Sequence, residues 1–161
     1  MVYKFSTLAL AGPVLAGCEM AQITQPVVDV TRKPALAPER VTGLSDTVLR
    51  SFVVEADTRK ELSGVPCTID SGEFTAKITT PVQMRLPRVA GRPSQAVVTC
   101  QYSDQTDRVV AAPTLDGVVV AGASPVGLIL GAVTAGMAIE KDEWAYPAYI
   151  EATFKPIETE E

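Results

Sequence analysis

From Val48 onward the chain is dominated by alternation of apolar and polar positions. Ala96, Val98, Cys100 and Tyr102 alternate with Val97, Thr99 and Gln101, and Ile150, Ala152 and Phe154 alternate with Tyr149, Glu151, Thr153 and Lys155. Phe52, Val54 and Ala56 likewise share one side of an extended segment. A period of two with β-branched residues is what a strand shows when one face is buried and the other is wet. Shorter runs at 65–69, 74–79, 82–86 and 108–111 are separated by Asp70-Ser71-Gly72, Pro87, Gly91-Arg92-Pro93 and Pro113. Roughly seven short strands with a turn about every ten residues predict a mainly β fold, a small Ig-like antiparallel β-sandwich. We place it at residues 46–156, followed by an acidic tail at 157–161.

Two stretches break the alternation. Residues 18–45 carry Pro26, Pro34 and Pro38 among scattered polar positions, and proline blocks both helix interior and central strand. This reads as a semi-extended tether, reaching on the order of 30 Å as a flexible coil. The competing reading makes Val27-Val28-Asp29-Val30 an edge strand docked on the domain. The second stretch, Gly117 to Ile139, holds no charge and contains Gly122, Gly127, Gly131 and Gly136. Its length admits a membrane span, and its glycines could form a smooth helix-packing face. Pro125 and the high share of small residues favour a strand end, a turn, and one short Gly-rich apolar helix from about Pro125 to Glu140, with proline in its first turn. That helix is expected to cover an open side of the sandwich, the alternatives being a partner, a homologous copy or the bilayer.

The first seventeen residues have another character. Lys4 is the only charge, residues 5–14 are almost wholly apolar, and Leu15-Ala16-Gly17 leads into Cys18. A charged start, a short apolar core and a small-residue exit make a secretory signal, with a core too short to span a bilayer. Leu15-Ala16-Gly17-Cys18 resembles the lipobox of bacterial lipoproteins. The resemblance implies cleavage before Cys18, diacylation of its thiol and acylation of the new amino terminus. Two or three acyl chains, at about 0.8 kcal/mol per buried methylene, hold a domain on a membrane almost permanently. Residue 19 is Glu where an inner-membrane retention signal would have Asp, so the expected location is the periplasmic face of the outer membrane in a Gram-negative bacterium.

Cysteine arithmetic agrees with this division. Of three cysteines, Cys18 stands in the lipobox, leaving Cys67 and Cys100, both in strand-like segments exported to an oxidising compartment. A disulfide between them is expected; two free buried thiols are the alternative, and the absence of Cys-x-x-Cys spacing argues against a redox-active pair. The segments Gly64-Val65-Pro66-Cys67-Thr68-Ile69-Asp70-Ser71-Gly72, Thr80-Pro81 and Ala96-Val97-Val98-Thr99-Cys100 resemble a pattern of small proteobacterial lipoproteins with a PEGA-like or carboxypeptidase-regulatory-like β-sandwich. Fold and location are implied by that resemblance, and no catalytic residue is.

Composition narrows function mainly by exclusion. The 161 residues suit one domain. No histidine is present, which removes the usual general base of Ser and Cys hydrolases and the commonest zinc ligand. A net charge of −5 without a Lys/Arg cluster argues against nucleic acid. Carboxylates gather at Glu140/Asp142/Glu143, Asp70/Glu73 and Asp104/Asp107, but none has EF-hand spacing, and solvated loop charge is the plainer reading. Neither enzyme activity, metal nor cofactor is therefore expected. The candidate contact patch is Trp144, Tyr146 and Tyr149, since such rings offer an apolar body with a polar tip; the plainer alternative makes Tyr146-Pro147 the start of the last strand and Trp144 a cover for the sandwich edge. The expected partners are membrane lipid through acylated Cys18 and an envelope protein or a second copy. A structural or adaptor role follows, with a small-ligand or glycan module stacking on the three aromatics as the alternative.

Overall fold

A computed structural model describes residues 20–56, 58–115 and 142–157, and in them the chain is almost wholly extended. Two short strands, β1 (Val28–Asp29) and β2 (Thr31–Arg32), precede a 3₁₀ turn at Pro38–Arg40. Then come β3 (Val41–Glu55), β4 (Thr58–Leu62), β5 (Pro66–Asp70), β6 (Phe74–Thr79), β7 (Val82–Ala90), β8 (Ala96–Tyr102), β9 (Gln105–Ala111) and β10 (Thr114–Leu115). The last two are β11 (Glu143–Ala145) and β12 (Tyr149–Phe154).

These strands build two sheets. The first runs β10-β11-β7-β3-β12, with β1 also beside β7 and β4 also beside β3; the second runs β2-β6-β5-β8-β9. Leu49, Met84 and Ile150 of the first sheet pack with Ile69, Phe74 and Val98 of the second in one buried cluster. The mainly β, two-sheet expectation holds. All pairs of the second sheet are antiparallel, whereas in the first β1 runs parallel to β7 and β12 parallel to β3. Neither parallel pair is joined by a hairpin, so no tight turn dictates its direction.

The Cys67–Cys100 disulfide is present and joins residues directly opposed across β5 and β8, with Cα atoms 4.1 Å apart. Between β5 and β6, the Ser71 hydroxyl accepts hydrogen bonds from the Glu73 and Phe74 N–H groups, fixing the turn that the Asp-Ser-Gly sequence announces. At the open side of the sandwich, β9 reaches across to β12. Asp107 accepts from Thr153 N–H at 2.8 Å, while Gln105 accepts from Lys155 N–H and donates to the Lys155 carbonyl. These bonds satisfy backbone groups on an exposed strand edge that would otherwise invite pairing with another chain.

Three sequence expectations need correction. The tether does not extend to residue 45, because β1 pairs with β7, β2 pairs with β6, and β3 begins at Val41. Proline fixes its own φ, lacks an N–H and pushes the preceding residue toward extended backbone, none of which stops the residues between prolines from pairing, and Pro38 starts the 3₁₀ turn. Pro87 does not end its strand, since β7 continues to Ala90; Pro87 lies opposite Leu44, one step from a bulge between Val41 and Gly43 where the ladder is already irregular. Phe52 and Val54 do share one side of β3, but it is the outer one, where Arg59 covers Phe52 and Val54 is exposed; the core-facing residues include Thr47, Leu49 and Ser51. The two inward hydroxyls are satisfied: Thr47 donates to the Pro147 carbonyl, and Ser51 donates to the Leu62 carbonyl and bonds the Thr80 hydroxyl. The expected helix over 125–140, the signal segment, Cys18 and most of the acidic tail lie outside the described residues.

Candidate functional site

The side of β3 turned away from the core carries a site that the alternation does not announce. Register places Phe52 opposite Glu61 and Val54 opposite Arg59 on β4, and sets Glu151 of β12 beside Arg50. Paired residues of adjacent strands share a face, so these side chains gather on the outer surface of the first sheet. Arg50 and Glu61 form an ion pair at 2.5 Å, their side chains only 12% and 10% exposed. Both groups also grip the incoming chain. Glu61 Oε2 accepts from Ala21 N–H at 2.7 Å, and Arg50 Nη1 donates to the Ala21 carbonyl at 2.9 Å. Ala21 is thus held by both of its backbone groups. Four residues later, Gln25 donates to the Thr79 and Pro81 carbonyls. Residues 21 and 25 are thus both bonded to the sandwich.

Beside this clamp lies a groove of about 860 Å³, lined by Met20, Phe52, Arg59, Lys60, Tyr149 and Glu151. The Arg59 guanidinium lies 3.7 Å above the Phe52 ring and is ion-paired with Glu151, which also accepts from the Tyr149 hydroxyl at 3.2 Å. Burial, and then the Glu151 carboxylate, push the Tyr149 phenol above its ordinary range. A cation stacked on one ring, a neutral phenol and an exposed Met20 make the groove amphipathic, with its opposite charges already paired.

The three aromatic candidates do not converge. Tyr146 turns into the core, 4% exposed, where it meets Phe74 edge-on at 5.1 Å and donates to the Ser94 carbonyl at 2.7 Å. Trp144 lies on β11, paired with Val89 of β7, and its indole N–H donates to Asp142. Tyr149 stands on the outer face of β12 and lines the groove. A platform of three rings is therefore not formed, because Tyr146 finds both a ring and an acceptor inside the sandwich.

Burial and the nearby Glu73 carboxylate raise the Tyr146 pKa well above the ordinary 10.0. A raised folded-state value means that this phenol's contribution is fully present below pH about 10 and is lost as pH rises from there toward the folded-state value. Unfolding free energy is therefore expected to fall with alkalinity above pH about 10. Tyr146→Phe should flatten that slope and, by removing the bond to Ser94, cost about 1 kcal/mol at neutral pH. Urea unfolding of both proteins across the alkaline range checks it; an unchanged slope in the variant contradicts it.

Asp70, Glu73, Asp107, Asp142 and Glu143 each accept a hydrogen bond, although Glu73 Oε2 is buried without a partner among the described residues. Lys33 bonds both Asp70 oxygens, and this bond is the main reason that the Asp70 carboxyl lies below its usual range. Glu73 Oε1 accepts from the Ser94 N–H and hydroxyl, Asp107 caps β12, and Glu143 accepts from Thr42. Among the described residues no group of three or more acidic or cysteine side chains is arranged to hold a metal ion, and no helix is long and apolar enough to cross a membrane. No family model, curated protein or solved structure matches this chain.

Sequence reasoning missed Arg50, Glu61 and the groove. The available signal was Arg50 itself, a charge between Val48-Leu49 and the run Phe52-Val53-Val54. Such a residue needs a specific partner when it is covered.

Proposed function

We propose that this chain is a lipid-anchored lipoprotein of the bacterial envelope, held on the periplasmic face of the outer membrane through Cys18. Its disulfide-linked β-sandwich, Ig-like or PEGA-like in type, serves as a structural or adaptor component that binds another envelope protein. The observation that carries this reading is the division of the cysteines: Cys67 and Cys100 are spent on each other, and the remaining one stands at the end of Leu15-Ala16-Gly17-Cys18. A thiol in that setting is the group to which lipid is joined, and a cross-strand disulfide suits an exported domain. Absence of histidine and the structural hydrogen bonds of Asp70, Glu73 and Asp107 support a role without catalysis.

Crosslinking in the native envelope, followed by mass spectrometry, tests both halves of the proposal. The wild-type protein is expected in the outer-membrane fraction joined to one dominant envelope protein. Cys18→Ala is expected to accumulate as unprocessed precursor without fatty acid. Normal fatty-acid labelling of that variant sinks the anchor, and a spread of unrelated crosslinked proteins sinks the adaptor.

A further inference from the structure

We propose that the outer face of the first sheet, where β3, β4 and β12 meet, lies on the phospholipid surface that carries Cys18, with Met20, Val54 and Tyr149 among the lipid headgroups. The inference rests on the lipid-anchor reading and adds an orientation to it.

The first support is covalent reach. Ala21 is fixed to the sheet by Arg50 and Glu61 through both of its backbone groups. Cys18 precedes Met20 by two residues, and two fully extended residues span at most about 7 Å. The acylated residue therefore cannot leave the neighbourhood of the groove, and neither can the lipid surface that holds it. Had residues 18–45 been a free tether, no face of the domain would be favoured; the clamp removes that freedom.

The second support is the chemistry of the face. Met20, Val54 and Tyr149 are 54%, 41% and 39% exposed. Val54 is paired across the ladder with Arg59, which lines the groove together with Met20 and Tyr149. Tyrosine places its ring against apolar matter and its hydroxyl in water. The face is electrically balanced: Arg50 is paired with Glu61, and Arg59 with Glu151. Such a surface suits zwitterionic headgroups, and its contact with lipid should be insensitive to salt, unlike that of a basic patch.

The test uses the full, membrane-extracted protein in phosphatidylethanolamine/phosphatidylglycerol vesicles. Val54→Cys and, as the control, Val110→Cys are each labelled with an environment-sensitive fluorophore. Val110 is 47% exposed on β9 of the other sheet, and both native sandwich cysteines are buried in their disulfide. The expected result is a blue-shifted emission at position 54, quenched several-fold more by brominated lipid than at 110, and unchanged between low and high salt. Equal quenching at the two positions, a stronger effect at 110, or contact at 54 that vanishes in high salt overturns the proposal. So does a crosslink from position 54 to a second copy in place of lipid quenching. Intact mass of the same preparation reads acylation separately: an unacylated protein that does not float with the vesicles defeats the anchor, whereas an acylated, floating protein with a water-exposed position 54 defeats only the orientation.

Discussion

Replacing Cys67 and Cys100 together by alanine is expected to lower the unfolding free energy by about 3 to 4 kcal/mol. The two residues are 33 positions apart in sequence and directly opposed on β5 and β8, whose ladder also pairs Thr68 with Thr99 and Ile69 with Val98. In the folded state the bond therefore adds little order that the ladder lacks. Its main effect is on the unfolded chain, where closing a loop of this length removes conformations that folding would otherwise have to surrender. For a domain of roughly 100 residues, 3 kcal/mol corresponds to a fall in Tm of about 15 °C. Thermal and urea unfolding of the wild-type protein, with and without reductant, and of the double variant check it. Reduced wild type and double variant should agree closely; stability equal to that of the oxidised wild type contradicts the prediction.

Arg50→Ala is expected to cost about 3 kcal/mol, at the lower end for breaking a buried ion pair. The substitution leaves Glu61, with a side chain only 10% exposed, without its cation, and deprives the Ala21 carbonyl of its donor. The paired replacement Arg50→Met with Glu61→Leu separates the two consequences. Two similarly sized apolar groups remove the uncompensated charge, so most of the stability should return. The grip on Ala21 should not return, since both of its side-chain partners are gone. Urea unfolding reads the first effect, and proteolysis between residues 21 and 28 reads the second. Equal resistance to proteolysis in wild type and paired variant would show that Arg50 and Glu61 do not hold the incoming chain.

Strands β8 and β12 were legible in the sequence because their buried positions are apolar without exception: Ala96, Val98 and Cys100 in one, Ile150, Ala152 and Phe154 in the other. The disulfide was legible for a related reason, since the topology opposes the two cysteines left for pairing once Cys18 is set apart. On β3 the inward face was hidden by Thr47 and Ser51, whose hydroxyls are satisfied by Pro147, Leu62 and Thr80, residues 11 to 100 positions distant. Polar residues can occupy a core when such partners exist, but alternation cannot reveal partners so far away. Tyr146 posed the same difficulty. A ring with a polar tip reads alike at a surface and in a core until its acceptor, here the Ser94 carbonyl, is located. The clamp was the least legible feature, because what Arg50 and Glu61 recognise is the backbone of Ala21, which has no sequence signature.

The length of the tether is where this matters for function. Proline density suggested a spacer that would hold the domain away from lipid, whereas Ala21 is hydrogen-bonded to the sheet and residues 28–32 contribute to both sheets. On the proposed lipid anchor, such a domain would sit close to the membrane in a restricted orientation and offer a partner one preferred face.

The mass of the N-terminal peptide from protein purified out of its native envelope tests the lipid anchor most directly. A chain beginning at Cys18, carrying a diacylglyceryl group on the thiol and a further acyl chain on the amino terminus, is the predicted result. An unmodified Cys18, whether at a cleaved terminus or inside an uncleaved chain that begins at Met1, contradicts it.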